Sequence, residues 1–239
     1  MKQYIRLSEA EFDRLRPLNG NIIVAPEQDV TNIQVDGKKL FFDGSFSPEN
    51  NQVVVNKVVK VSDSGWRDSG FSSDMLLVPG DLVWVNYFSV LQALSILVYS
   101  DKPNVKELEY LMIPYRQCYM GYCETEEGHD YVMLNDYILL DPIVKEDTNP
   151  LVIDSLKKKV SKRYYKVERV PMYGSFNYEG SKWEYVRVKE GDIAFLLDSN
   201  QFKLEHWPHY LYDKRVHYVT RVQKVLLVVE EVDESVEVF

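Results

Sequence analysis

Any chemistry in this 239-residue chain would have to come from four histidines, two cysteines and a surplus of carboxylates. His206 and His209 flank Trp207-Pro208 at the spacing of a metal pair on one helix face. The proline disfavours the helix that would align them, and the sequence offers no third ligand. His129 and His217 have no paired nucleophile in view. Cys118 and Cys123 are too few for a disulfide framework and lack the four-ligand spacing of a zinc site, so two free thiols in a reducing compartment are expected. Asp81 and Asp192 each follow a glycine, where aspartate bonds back to its own backbone. No glycine-rich phosphate loop, G-x-S-x-G elbow or H-E-x-x-H sequence is present. The expectation is a protein that is not an enzyme and needs no metal or cofactor.

Composition points the same way. Hydrophobic residues make up 45% and charged residues 27%, a globular balance. Seventeen tyrosines and many valines favour strands, because aromatic and β-branched side chains fit a pleated surface. A net charge of −9 argues against non-specific nucleic-acid binding, where lysine and arginine must neutralise phosphates. The first residues lack the apolar centre of a signal peptide, and the apolar run Leu82 to Tyr99 is interrupted by Asn86, Ser89, Gln92 and Ser95. A soluble, cytoplasmic protein without a membrane partner is expected.

The elements that position these residues come twice. Leu18-Asn19-Gly20-Asn21-Ile22-Ile23-Val24-Ala25-Pro26 is matched 116 residues on by Leu134-Asn135-Asp136-Tyr137-Ile138-Leu139-Leu140-Asp141-Pro142. In each, a tight turn precedes an aliphatic strand that proline should end. Val78-Pro79-Gly80-Asp81-Leu82-Val83-Trp84 is matched 111 residues on by Lys189-Glu190-Gly191-Asp192-Ile193-Ala194-Phe195. A weaker third match sets Leu111-Met112-Ile113 through Gln117 against His217-Tyr218-Val219 through Gln223, an offset of 106. Three matches in one order identify a tandem duplication.

The predicted layout is an N-terminal extension 1–13, a first module 14–123, an acidic linker 124–129, a second module 130–230 and an acidic tail 231–239, expected to fray. Ser8 with Glu11 three residues on predicts one or two helical turns between Leu7 and Leu15. Turn signals predict strands near 20–25, 52–61, 75–78, 81–87 and 110–120, then 136–141, 162–170, 184–188, 192–197 and 217–229. The fold class is all-β, a barrel or sandwich per module.

This order of elements resembles the GroES, or ten-kilodalton chaperonin, family. Arg16-Pro17-Leu18-Asn19 leading into Ile22-Ile23-Val24 is similar to the family's opening strand, and the two glycine–aspartate turns and closing strands follow in its order. The second module starts at Met133-Leu134-Asn135 without the Arg-Pro, and the apolar segment Phe88 to Tyr99 departs from a short polar one. The resemblance implies two tandem GroES-like, partly open β-barrels. It also implies a co-chaperonin that caps a chaperonin ring, self-associates into a ring, and leaves ATP hydrolysis to its partner.

In that family an apolar triplet in a mobile loop makes the chaperonin contact. The first module offers Leu40, Phe41 and Phe42 between Asp36-Gly37 and Asp43-Gly44-Ser45, in a long polar loop. The second offers Leu151, Val152 and Ile153, followed by Asp154-Ser155 and the basic run Lys157-Lys158-Lys159 with Lys162 and Arg163. That run is read either as a solvated loop edge or as an attraction for an acidic partner surface. Ordering a loop on binding weakens each contact, and a ring of such loops restores avidity. Leu40-Phe41-Phe42 also reads as an edge strand of a hairpin begun at Asp36-Gly37. The alternative function is a structural or assembly ring protein, for example of a viral particle, that kept the barrel and lost the chaperonin. Two modules per chain suit a six- or eight-module ring, a two-layered assembly of seven chains, or a ring using one module of each chain.

Overall fold

Short aliphatic runs cut by glycine, asparagine and proline become strands here. The computed structural model describes residues 3–26, 32–35, 38–41, 53–63, 65, 67–68, 71–72, 74–99, 107–125, 128–146, 158–171, 188–196, 202–203 and 218–229. The fold is all-β with two short helices, and the described residues divide into two compact units between Asn135 and Asp136.

In the first unit the strands are β1 (Tyr4–Ser8), β2 (Asn21–Pro26), β3 (Asn32–Val35), β4 (Lys38–Phe41), β5 (Val53–Val61), β6 (Arg67–Asp68), β7 (Phe71–Ser72), β8 (Leu82–Asn86), β9 (Leu94–Tyr99), β10 (Leu108–Pro114), β11 (Cys118–Thr125) and β12 (Gly128–Met133). Eight of them make one sheet in the order β1-β9-β10-β2-β5-β8-β11-β12, while β3–β4 and β6–β7 are separate hairpins. The second unit has β13 (Tyr137–Glu146), β14 (Lys158–Arg169), β15 (Ile193–Phe195), β16 (Phe202–Lys203), β17 (Tyr218–Arg221) and β18 (Leu227–Val229), ordered β16-β17-β13-β14-β15-β18. Among the described residues neither sheet closes on itself.

The second sheet repeats the six central strands of the first, in order and in register. Met112 of β10 faces Ile23 of β2, and Val219 faces Leu139 at the corresponding place. A bulge between Ile23 and Val24, opposite β5, recurs between Leu139 and Leu140, opposite β14. Asn56 faces Val83 as Tyr165 faces Ala194, and Met120 faces Trp84 as Leu227 faces Phe195. Even the outer pair agrees: Leu94 faces Met112 as Phe202 faces Val219. The cores correspond by position, with Ile22, Val24, Val58, Leu77, Val83, Val85 and Cys118 in one unit and Ile138, Leu140, Val167, Val188, Ala194, Leu196 and Val225 in the other.

Register corrects the third sequence match. Leu111 pairs with Val24, and Tyr218 pairs with Leu140, so the offset is 107 and not 106. One residue matters, because a slip of one turns every side chain to the other face. The expected closing strands are each two strands, joined by short 3-10 helices at Tyr115–Gln117 and Val222–Lys224.

Other expectations also change. Residues 75–78 form no strand, since Pro79 and the following turn leave them extended but unladdered. Of the predicted strand 184–188, only Val188 is described, and it is not in a strand. Phe88 to Tyr99, apolar in sequence, divides into a helix and a strand. It forms α2 (Tyr87–Gln92), capped by the Asn86 side chain on the Phe88 N–H at 2.8 Å, then β9, whose counterpart is β16. Among residues 124–129, read as a linker, Glu124 and Thr125 end β11 and Gly128 and His129 begin β12, so the first sheet continues across the segment. Gly128 at φ +118° opens the returning strand, a conformation that a side chain disfavours.

The N-terminal extension belongs to the first sheet. Its strand β1 pairs parallel with β9, and α1 (Glu9–Arg14) follows. Ser8 and Glu11 close the expected capping box: the Ser8 N–H donates to Glu11 Oε2 at 2.8 Å, and the Glu11 N–H donates to Ser8 Oγ at 3.3 Å. Phe12 then packs with Ile23, Ile96 and Val98 on the sheet face opposite Ile22 and Val24, and its ring stacks on Tyr110 at 4.5 Å. Burying a phenylalanine this way stabilises by about 2–3 kcal/mol.

Candidate functional site

Both apolar triplets belong to one connection of the repeat. In the first unit the chain leaves β2 at Pro26 and returns as β5 at Val53; in the second it leaves β13 at Glu146 and returns as β14 at Lys158. The second ladder is longer. Pro142, expected to end its strand, sits at a register shift between Pro142 and Val144, where a missing N–H is tolerated, and pairing resumes through Val144↔Val160 to Glu146↔Lys158.

Leu40 and Phe41 lie in β4, where they pair with Ile33 and Asn32 of β3. Val35 stands opposite Lys38, so β3 and β4 pair as the hairpin that the Asp36-Gly37 signal anticipated, with residues 36–37 outside the described residues. Phe42 and the whole second triplet, Leu151, Val152 and Ile153, lie outside the described residues. Of the basic run, Lys158 and Lys159 open β14 opposite Glu146 and Lys145.

The two glycine–aspartate turns have the same geometry. Gly80 and Gly191 take φ +110° and +93°. The Asp81 carboxylate accepts the Val78 N–H at 2.8 Å, and Asp192 accepts the Lys189 N–H at 2.7 Å. The backbone pins each turn to the neighbouring strand: Val58 and Val167 donate to the Asp81 and Asp192 carbonyls, and Gly80 and Gly191 donate back, all at 2.8 Å. Both aspartates are buried. Their carboxylates hold the turns. Replacing Asp192 by Ala is expected to lower stability by about 1.5–3 kcal/mol, the range for a hydrogen bond to a charged group. Asp81→Ala should cost at least as much, because its carboxylate also meets Cys123, and urea denaturation of the two variants checks this order.

Both cysteines lie in the first core. Cys118 and Cys123 are free thiols and buried, and burial pushes Cys123 up to about 12, helped by the neighbouring Asp81 carboxylate. Burial raises Cys118 further and raises the Tyr115 phenol, whose oxygen accepts the Leu76 N–H at 3.3 Å. Thiols held this far up are not nucleophiles near neutral pH. Among the described residues no group of three metal-ligating side chains exists, and no helix is long and apolar enough to cross a membrane. His206, His209 and His217 lie outside the described residues.

Two surface features escaped the sequence reading. Tyr122 of β11 meets Tyr131 and His129 of β12 at 4.9 and 5.5 Å, and Tyr131 reaches Trp84 at 5.6 Å. The alternation His129, Tyr131, Met133 was the one signal for it. The other is β18, where Leu227 and Val229 are 63% and 43% exposed. No family model matches the chain, and no curated protein matches it in sequence.

Proposed function

We propose that the chain is a co-chaperonin: a cytoplasmic, non-enzymatic lid that caps a chaperonin ring and helps enclose a folding protein. Each set of six matched strands is read as the strand set of one GroES-like, partly open barrel, so that the chain carries two in tandem. The observation that carries the reading is that both apolar triplets fall in the same connection of a repeat whose strand order and register are otherwise shared. Leu40, Phe41 and Phe42 in one copy and Leu151, Val152 and Ile153 in the other are the proposed contacts. A contact used twice per chain, and several times per ring, supports a lid that binds firmly as an assembly yet releases one loop at a time.

The test is nucleotide-dependent co-sedimentation of the intact protein with a bacterial chaperonin, beside a Phe41→Ser/Val152→Ser double variant. Binding that requires ATP and falls at least tenfold in the variant is expected. Absence of binding to any chaperonin tried would overturn the lid.

One observation favours the second reading, a structural or assembly ring protein such as a component of a viral particle. The first triplet begins inside a laddered hairpin, β3–β4, which suits a fixed interface between subunits as well as a loop that orders on a partner. Assembly into a ring without a chaperonin present distinguishes it.

A further inference from the structure

Each copy of the opening turn carries a leucine and an asparagine, Leu18-Asn19 and Leu134-Asn135. The two asparagines share a left-handed backbone, at φ 56° and 57°. Their surroundings differ. Leu134 is fully buried in the core that holds Tyr115 and Cys118, and its N–H donates to the Tyr119 carbonyl at 2.9 Å. The Asn135 side-chain amide donates to the Tyr115 and Cys118 carbonyls at 2.8 and 3.0 Å. Leu134-Asn135 is thus a plug seated on the 3-10 corner between β10 and β11. Leu18, by contrast, is 62% exposed, and Asn19 is exposed beside it.

The second unit repeats the corner. At the register offset of 107, Val222, Val225, Leu226 and Leu227 stand where the first unit has Tyr115, Cys118, Tyr119 and Met120. The backbone is the same: the Val225 N–H donates to the Val222 carbonyl as the Cys118 N–H donates to that of Tyr115. The Val222 N–H reaches the Asp136 carbonyl as the Tyr115 N–H reaches that of Gly20, both at 2.8 Å. The cover is not the same. Tyr119 and Met120 are buried, while Leu226 and Leu227 are 48% and 63% exposed.

The chain therefore presents a plug on its first unit and a matching corner on its second, each marked by leucines whose counterparts are buried or whose place is covered. We propose that Leu18-Asn19 of one molecule seats on the Val222–Leu226 corner of a second copy, as Leu134-Asn135 seats on Tyr115 to Tyr119. Leu18 packs against Leu226, and the Asn19 amide donates to the Val222 and Val225 carbonyls. Plug and corner are different surfaces, so the contact runs head to tail. It makes a ring if the rotation between copies closes and a filament if it does not. One leucine and one amide form a small contact, and repetition around a closed assembly strengthens it. The inference stands on the repeat and not on the chaperonin lid.

The full-length protein and its Leu18→Glu and Leu226→Glu variants test this in sedimentation velocity from low to high micromolar concentration. The parent is expected to form assemblies larger than a dimer, and each variant alone to remain monomeric. Mixed in equal amounts, the variants retain one intact plug and one intact corner between them. A heterodimer that grows no further is expected. Both replaced leucines are exposed, so circular dichroism should match the parent, and Leu18→Ser and Leu226→Ser repeat the test if a glutamate perturbs the fold. A parent that stays monomeric throughout would overturn the contact. A variant that assembles as the parent does would place assembly elsewhere and overturn it too. A mixture that stays monomeric would break the pairing of plug with corner. Co-sedimentation with a chaperonin is scored separately, so failure of the lid and failure of this contact are distinguishable.

Discussion

Raising the pH from about 8 to about 10.5 is expected to unfold the first unit while leaving the second largely folded. Cys118 and Cys123 are buried in the first core, and burial lifts both well above the ordinary thiol value of about 8.5. The folded state therefore keeps these protons after the unfolded chain has released them. Their contribution is complete below about pH 8.5 and declines as pH rises toward the folded value of about 12 for Cys123. The slope is about 1.4 kcal/mol per pH unit for each thiol, so two units above the unfolded value removes roughly 5 kcal/mol. That is comparable with the entire stability of a small domain. Tyr115, also raised by burial, steepens the loss above about pH 10. The second unit has Val225 where the first has Cys118, and the raised groups among its described residues, Tyr218 and Arg221, ordinarily titrate at about pH 10 and above, so it lacks the early part of the transition. Amide exchange resolved by peptide separates the two units. A Cys118→Val/Cys123→Ala variant should lose most of the slope between pH 8.5 and 10. An unchanged slope would remove the thiols from the explanation.

Gly121→Val is expected to destabilise the first unit by about 1–2 kcal/mol, although valine is the better strand former. A Cβ at Gly121 would lie 2.6 Å from Cys123 Sγ and 2.8 Å from Leu77 Cδ2, distances at which one of them must move. Strand propensity favours valine by at most about 1 kcal/mol. Overpacking a filled core costs about 1–3 kcal/mol, so the steric effect wins. The second unit solved the same problem the other way. By register Val228 stands where the first unit has Gly121, and Val188 replaces the larger Leu77. Gly121→Val combined with Leu77→Val and Cys123→Ala should therefore recover at least half of the loss in urea denaturation. If the triple variant is no more stable than Gly121→Val alone, crowding is not the cause.

The parts of the fold legible in sequence were those with local causes. Ser8 and Glu11 marked a helix start because a capping box involves only four residues. Asn19-Gly20 and Asn135-Asp136 marked turns because Asn19 and Asn135, at φ 56° and 57°, sit where asparagine is tolerated. The two glycine–aspartate motifs marked identical structures because their hydrogen bonds close within the turn and onto one neighbouring strand. The weak third match slipped by one residue, since Gln117 and Gln223 were matched by identity while pairing partners decide register. The strand within Phe88 to Tyr99, β9, was not legible for a related reason. Its counterpart in the second unit, Phe202–Lys203, shares a place in the sheet but no sequence pattern.

For the proposed contacts, the sequence marked Leu40, Phe41, Phe42, Leu151, Val152 and Ile153 by an apolar run in a polar surrounding. The tertiary structure added that the two runs occupy one connection of a repeated sheet, and that Leu40 and Phe41 begin in a hairpin. By itself the sequence determined the all-β class, the doubling, the turns and the absence of recognised catalytic motifs, because short-range sterics and hydrogen bonding dictate these. Only the tertiary structure decided the strand order, the register offsets, the pairing of β1 and β12 with the first sheet, and the burial that silences both thiols. Those depend on which distant strands meet, and hydrogen bonds between strands carry no signature in the residues that make them.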